Sequence, residues 1–165
     1  MFDFKYKKHN SIYNNLVKLS RNTFFYKELK FDDKLENRII IIFAHLSIIL
    51  NCMKKHKKYN TISQEIYDNI FLNIENNLRE IGHGDVTVNK KMKQLNQIFH
   101  NILIKLFDIT NNKKIKISEI TNFLFLKDKS PEISQKLTLY FEKYNDFCFD
   151  IIDKNMIKDL VNFKY

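Results

Sequence analysis

The stretch "NNLREIGHGDVTVNKKMKQL" (residues 76–95) contains both glycines of a 165-residue chain, Gly82 and Gly84. On both sides of this pair the apolar residues recur every three or four positions, which is the spacing of amphipathic helices. A glycine just after a helix often adopts the left-handed backbone that ends it, so Gly82 is predicted to close the first helix. Gly84 is then expected to let the chain turn into the second helix, with Asp85 or Thr87 as the N-cap.

The same shortage of turn residues extends to the whole chain. Two glycines and one proline imply few turns and long elements, and a hydrophobic content of 44% is enough for a continuous core. Residues 1–165 are therefore predicted to form one all-α domain, a bundle of about six or seven helices. Apart from the two corner helices, the expected helices are one that Ser11 caps and that buries Ile12, Leu16 and Leu19, one at about 34–55 that Asp32 or Asp33 caps, and three at about 118–127, 131–148 and 154–162.

The most apolar run is "IIIIFAHLSIILNCM" (residues 39–53), where a membrane span would lie if the chain had one. It has 15 residues and includes His45, Ser47 and Asn51, whereas a span needs roughly 18–20 apolar residues. A buried central helix without a transmembrane role is therefore predicted. On such a helix, His45 is expected to be a hydrogen-bonded core histidine, and a ligand or general base is the alternative.

Positive charge is unevenly distributed. The formal net charge is +9, of which residues 1–58 carry +8 and residues 59–165 carry +1. A genome rich in A and T favours lysine codons, and such a bias should raise the charge evenly along the chain. The asymmetry therefore marks the N-terminal third as the expected docking face for something anionic, either lipid or RNA.

No motif of an enzyme or of a metal site is present. The chain has no glycine-rich phosphate loop followed by lysine, no GxSxG, no HExxH and no CxxC, and its five histidines share no ligand spacing. Cys52 and Cys148 are isolated and are expected to be reduced core residues. The sequence thus predicts a protein that is not an enzyme and has neither a metal nor a cofactor.

Three arginines stand out in a chain that otherwise uses lysine: Arg21, Arg38 and Arg79. Each supplies a planar fork of donors that lysine lacks. Two interpretations stay open. The arginines can form structural ion pairs that tie helix ends together, or they can line a groove that binds a partner's backbone or acidic groups.

Three segments together resemble one family: "LVKLSRNTFFY" (16–26), "KFDDKLENRIIIIFAHLSIIL" (30–50) and residues 76–95. The last looks like that family's pattern Leu–Arg–Glu–x–Gly–x–Gly–Asp–x–x–Val–x–Lys–x–Met. This is the ubiquinol–cytochrome c chaperone family, and the resemblance runs from about residue 13 to 107 and more weakly to "NFKY" (162–165). The chain departs from it at Asn89, where the family often has proline, and at residues 100–102, where an aromatic–Gly–Arg is usual. The matching positions are Arg21, Phe25, Tyr26, Arg38, His45, Leu78, Arg79, Glu80, Gly82, Gly84, Asp85, Val88, the lysines at 90 and 91, and Met92.

The resemblance implies a non-enzymatic helical chaperone that binds newly made cytochrome b and promotes assembly of the cytochrome bc1 complex. Its implied partners are cytochrome b or another membrane-protein client, with the ribosome, a small partner protein and the membrane surface as further candidates. Gly82 and Gly84 are expected to form the structural corner. The expected client-binding residues are Phe25, Tyr26, Arg38, His45, Arg79, Asp85, Lys90 and Lys91.

These residues are expected to converge on one side of the bundle, flanked by the lysines at 90, 91 and 93. A binding role requires part of Phe25, Tyr26 or Arg79 to be accessible, whereas a purely structural role would bury and pair them. Because the N-terminus resembles neither a signal peptide nor a transit peptide, a bacterial cytoplasm is expected, with peripheral contact to the inner membrane, rather than a mitochondrial matrix. The alternatives are a ribosome- or RNA-associated basic module and a helical scaffold with an unrelated partner.

Overall fold

The computed structural model describes the backbone of residues 2–106, 130–154 and 157–165, and side chains from residue 11 within these ranges apart from 157 and 158. Shorter elements are a single turn of π-helix at Phe24–Glu28 and 3-10 helices at Lys57–Tyr59 and Ile157–Asn162. Phe31 is an isolated bridge residue, and no strand occurs in the described ranges. The five α-helices in these ranges are α1 (Phe2–Ser20), α2 (Leu35–Lys54), α3 (Asn60–Glu80), α4 (Asp85–Lys105) and α5 (Pro131–Asp153).

The all-α prediction is confirmed, but six or seven helices is an overestimate for the described ranges. The helix expected at about 118–127 lies outside the described residues. In the segment expected to be a helix at 154–162, the described residues Ile157–Asn162 form a short 3-10 helix. α1 begins at Phe2, so Ser11 lies inside that helix and cannot be its cap.

Helix α2 lies at the centre of the bundle and contacts α1, α3, α4 and α5. Every residue from 39 to 49 is buried, which is the pattern of a helix that is apolar all round. In the described ranges it is the one helix long and apolar enough to cross a membrane, and 72% of its most apolar window is buried inside the protein. The prediction of a buried central helix is confirmed.

The start of α2 differs from the expectation. Its N-cap residue is Lys34, which makes no capping hydrogen bond with its side chain. The Asp33 carboxylate accepts hydrogen bonds from Arg38 instead, and the Asp32 backbone carbonyl accepts one from the Asn37 side chain at 2.8 Å. At α5, by contrast, the Ser130 side chain accepts a hydrogen bond from the Ile133 backbone N–H and Pro131 occupies the first turn.

Candidate client-binding site

The corner between α3 and α4 closes with two backbone hydrogen bonds. The His83 N–H donates to the Leu78 carbonyl at 3.3 Å, and the Gly82 N–H donates to the Arg79 carbonyl at 2.9 Å. This pair of bonds is a Schellman motif, which requires a positive φ at the residue that follows the C-cap. Gly82 has φ +98°, so its predicted role is confirmed.

Gly84 has a different role from the one expected. It is the N-cap of α4 with φ −70° and ψ 159°, a backbone conformation that any residue can adopt. A side chain added there would meet no atom within 4 Å. The expected need for glycine at this position is therefore wrong, and Asp85 is the first residue of α4 rather than its cap.

An ion pair spans the corner. The Arg79 guanidinium donates to the Glu75 carboxylate at 2.7 Å and to the Asp85 carboxylate. The Arg79 and Asp85 side chains are 40% and 81% exposed, so water screens the pair and its contribution to stability is small. Ile81 and Val86 lie beside it and are 60% and 85% exposed. The corner thus presents two apolar side chains next to a charged pair.

Lysines continue the corner along α4. Lys90 and Lys93 are exposed and Lys91 is half-buried. Below them, Val88 is fully buried and Met92 packs against the core. The first turns of α4 therefore combine a packed inner face with a positively charged outer face.

The aromatic segment that follows α1 lies in the core. Phe25 has no exposed surface. Its ring centroid lies 4.9 Å from that of Tyr140, 5.9 Å from that of Phe31 and 6.4 Å from that of His45. Phe25 therefore cannot touch a client in this structure, which corrects its expected role as a contact residue.

His45 is likewise fully buried. Its Nδ1 is 2.7 Å from the Ile41 carbonyl and its Nε2 is 2.9 Å from the Tyr140 hydroxyl. This geometry suits a neutral ring that donates from Nδ1 and accepts from the tyrosine at Nε2. Burial lowers the pKa of His45 to about 4, opposed by the bond to Ile41. The core-histidine interpretation holds, and direct client contact by His45 does not.

Tyr26 and Arg38 lie at the surface where α1 ends and α2 begins. The half-buried Tyr26 donates its hydroxyl to the Ser20 carbonyl. Arg38, one-third exposed, binds Asp33 through two hydrogen bonds at 2.7 and 2.8 Å. Burial raises the pKa of Tyr26, as does the charge of Asp33, while Arg38 and Arg21 oppose them. The two arginines and this tyrosine therefore share one electrostatic environment.

Beside them a small open pocket of about 60 Å³ lies between α1, α2 and α3. Arg21 and Arg38 are both in its lining, and so is Leu78, the residue before Arg79. The side chain of Arg79 itself makes its ion pairs with Glu75 and Asp85 at the corner. The other polar residues of the lining could not be recognised from the sequence, because the lining comes from three helices that only the fold brings together. These residues are Tyr13, Ser20 and Asn77.

A comparison with known protein families agrees with the resemblance. Residues 27–158 match the sequence pattern of the family described as "Ubiquinol-cytochrome C chaperone". This chain belongs to the ubiquinol–cytochrome c chaperone family. Its fold is similar to the crystal structure of the Cbp3 homolog from Brucella abortus, with a TM-score of 0.73 and 24% identity, over 92% of this chain and 86% of that chain. A comparison with curated proteins found no match.

The match to the ubiquinol–cytochrome c chaperone family contains the corner, Arg38 and His45, and it begins just after Phe25 and Tyr26. Membership implies a non-enzymatic chaperone with a membrane-protein client. Within the described part of the chain no group of three His, Cys, Asp or Glu residues could hold a metal ion. Cys52 and Cys148 are free and buried, as the sequence predicts.

Proposed function

We propose that this chain is an assembly chaperone that binds newly made cytochrome b and promotes assembly of the cytochrome bc1 complex. Membership of the ubiquinol–cytochrome c chaperone family carries the proposal. A newly made membrane protein exposes apolar helices before it finds its partners. A chaperone for such a client needs accessible apolar groups with charged groups at their edge.

The corner supplies this combination. Ile81 and Val86 are exposed apolar side chains, and the Arg79–Asp85 pair lies beside them in water. Because the pair is exposed, a client's polar groups can replace either partner at little cost. We propose that client contact is made here, with the lysines at 90 and 91 flanking it and favouring acidic or lipid-proximal segments.

Tyr26 and Arg38 are proposed as a second contact region, since both are partly exposed. Phe25 and His45 act beneath that region and not in it. Phe25 packs against Tyr140, and His45 is hydrogen-bonded to the same residue. They fix the position of the segment that carries Tyr26.

The proposed location is the cytoplasmic face of a bacterial inner membrane, with peripheral attachment. A client that is inserted while it is translated appears at that face, close to the ribosome. The positive N-terminal third, +8 over residues 1–58, favours an anionic surface of lipid or RNA. A small partner protein can act with the chaperone at the same place.

The test is to capture the tagged chain from gently solubilised native membranes after a short pulse of radioactive label. We expect pulse-labelled cytochrome b in the captured fraction and its disappearance during a chase, as the complex assembles. An abundant labelled membrane protein of unrelated function is the control and should stay in the flow-through. Capture without labelled cytochrome b, while that protein is being synthesised, contradicts the proposal.

A second candidate function rests on the basic run that begins at the last residue of α2 and continues beyond it. Lys54, Lys55, Lys57 and Lys58 are all exposed, and the Lys55 ammonium lies 4.3 Å from the centroid of the Phe149 ring. Such a patch suits the phosphates of ribosomal RNA. Changing the four lysines to glutamine should abolish ribosome co-sedimentation if RNA binding is the function. It should only weaken cytochrome b capture if the chain is a chaperone.

A further inference from the structure

The three arginines differ in how their charge is used. Arg38 is bound by Asp33, and Arg79 is bound by Glu75 and Asp85. Among the described residues, the Arg21 guanidinium has no hydrogen bond or salt bridge. Arg21 is exposed, and it is in the lining of the pocket between α1, α2 and α3.

Six of the residues that line this pocket are apolar and five are polar. The uncharged polar groups have partners within the protein: the Tyr13 hydroxyl accepts from Asn77, and the Ser20 hydroxyl donates to the Val17 carbonyl at 2.8 Å. The positive charge that can attract an anion therefore comes from the guanidinium groups. The apolar lining consists of Val17, Leu35, Ile39, Ile42, Ile74 and Leu78.

The guanidinium charge reaches the mouth of the pocket. Burial raises the pKa values of Tyr13 and Tyr26, and the positive charge of Arg21 opposes both increases. Arg38 adds a second cation, and its partner Asp33 is 52% exposed, so an incoming anion can share Arg38 at little cost. The negative charge of Glu80 acts in the opposite direction to Arg21 on the pKa of Tyr13, so the excess of positive charge near Tyr13 is small.

We infer that this pocket binds one carboxylate of a client segment. An apolar side chain of the client, next to that carboxylate, packs against the apolar residues of the lining. The identification of the partner as a client rests on the proposed function. A planar guanidinium matches a carboxylate in a two-point contact, as it also matches a phosphate. The six apolar side chains of the lining favour an anion that carries an aliphatic group, which inorganic phosphate lacks. The chemistry is that of an acidic residue next to a leucine or isoleucine, or of a C-terminal apolar residue.

The test is a titration of the full-length, isotope-labelled chain followed by NMR at the side-chain Nε–H signal of Arg21. The probes are N-acetyl-leucine, its neutral amide N-acetyl-leucinamide, and inorganic phosphate. We expect saturable binding of N-acetyl-leucine with a Kd on the order of millimolar. The amide and phosphate should bind at least about threefold more weakly, because each lacks one of the two recognised features.

Variants assign the site. In the variants, probe binding is followed at the backbone N–H signals of the lining residues Ser20 and Leu78. Arg21→Gln should abolish probe binding, and Lys136→Gln, which changes an exposed cation paired with Glu132 on α5, should leave it unchanged. Equal affinity for the amide, equal or tighter affinity for phosphate, or full binding to Arg21→Gln overturns the inference. Because Arg21 is exposed, Arg21→Gln is expected to fold, and its backbone spectrum checks this in the same experiment.

The identification of the partner as a client segment is tested in cells. Arg21→Gln should lower capture of pulse-labelled cytochrome b by at least about threefold, the same factor as the loss expected for the neutral probe. Undiminished capture by this variant overturns the client assignment and leaves the proposed function standing. Failure of the wild-type chain to capture cytochrome b refutes the proposed function, whereas the titration still reports on the pocket.

Discussion

Two regions of the molecule contain residues that resemble the same family, and the fold uses them in opposite ways. The aromatic segment and the middle of α2 bring Phe25 and His45 into the core, where neither has any exposed surface. The corner places Ile81 and Val86 in water beside the Arg79–Asp85 ion pair. Agreement with a family pattern therefore does not distinguish a residue that builds the fold from one that is free to bind.

The difference follows from what surrounds each region. Phe25 and His45 face α5, whose Tyr140 touches both rings. The corner has no described element packed over its outer side: added side-chain atoms at Gly82 or Gly84 would meet nothing within 4 Å. The first region should thus respond to substitution with large losses of stability, and the second with losses of function.

The largest loss is expected from Phe25→Ala. Removing a fully buried phenylalanine leaves a cavity between α5 and the start of α2, and such changes cost about 3–5 kcal/mol. Val86→Ala is the matched control at the exposed corner and should change the free energy of unfolding by less than about 0.5 kcal/mol. Urea unfolding of both variants measures this. Similar losses in the two variants would remove the distinction between the regions.

His45 should make stability depend on pH. Its pKa is about 4 in the folded protein and near 6.5 when unfolded, so between these values the unfolded chain binds more protons. Its contribution is complete above pH 6.5 and is lost as the pH falls towards 4, by up to about 3 kcal/mol. The measurement is the free energy of unfolding against pH.

Carboxylates titrate in part of the same range, so the comparison needs a variant without the imidazole. His45→Gln keeps a donor and an acceptor at the site but cannot titrate. Its unfolding free energy should fall less steeply between pH 6.5 and 4 than that of the wild type. Parallel curves for the two proteins would show that His45 is not buried in its neutral form.

A smaller effect is expected at the glycines. Gly82→Val places a branched side chain at φ +98°, and this left-handed backbone should cost about 1–2 kcal/mol. Gly84→Ser is the control, because φ is −70° there and serine is a favoured N-cap. Its melting temperature should stay the same or rise. A wild-type melting temperature for Gly82→Val would show that the Schellman corner is not needed.

Part of this comparison could be predicted from the sequence. The end of α3 is encoded locally, by helical apolar spacing and by a glycine at the required position, so Gly82 could be assigned. The burial of α2 could be predicted because its apolar residues cover every face. Both inferences depend on signals that lie within a single helix or turn.

The exposure of the aromatic segment could not be predicted in this way. The sequence around Phe25 does not show whether it faces water or α5, because its partner Tyr140 lies far along the chain. The pocket at Arg21 has the same origin, since α1, α2 and α3 each contribute to its lining. The need for glycine expected at Gly84 does not hold, because an N-cap accepts glycine without requiring it.

The corner's role in binding is tested by the amount of cytochrome b in cells that carry Arg79→Ala at normal chaperone abundance. Lys136→Ala is the control, since Lys136 forms an exposed pair with Glu132 on α5. We predict that Arg79→Ala lowers cytochrome b and leaves the melting temperature of the chaperone nearly unchanged, whereas Lys136→Ala changes neither. Wild-type cytochrome b in the Arg79→Ala cells, or an equal loss in both variants, would contradict a binding role for the corner.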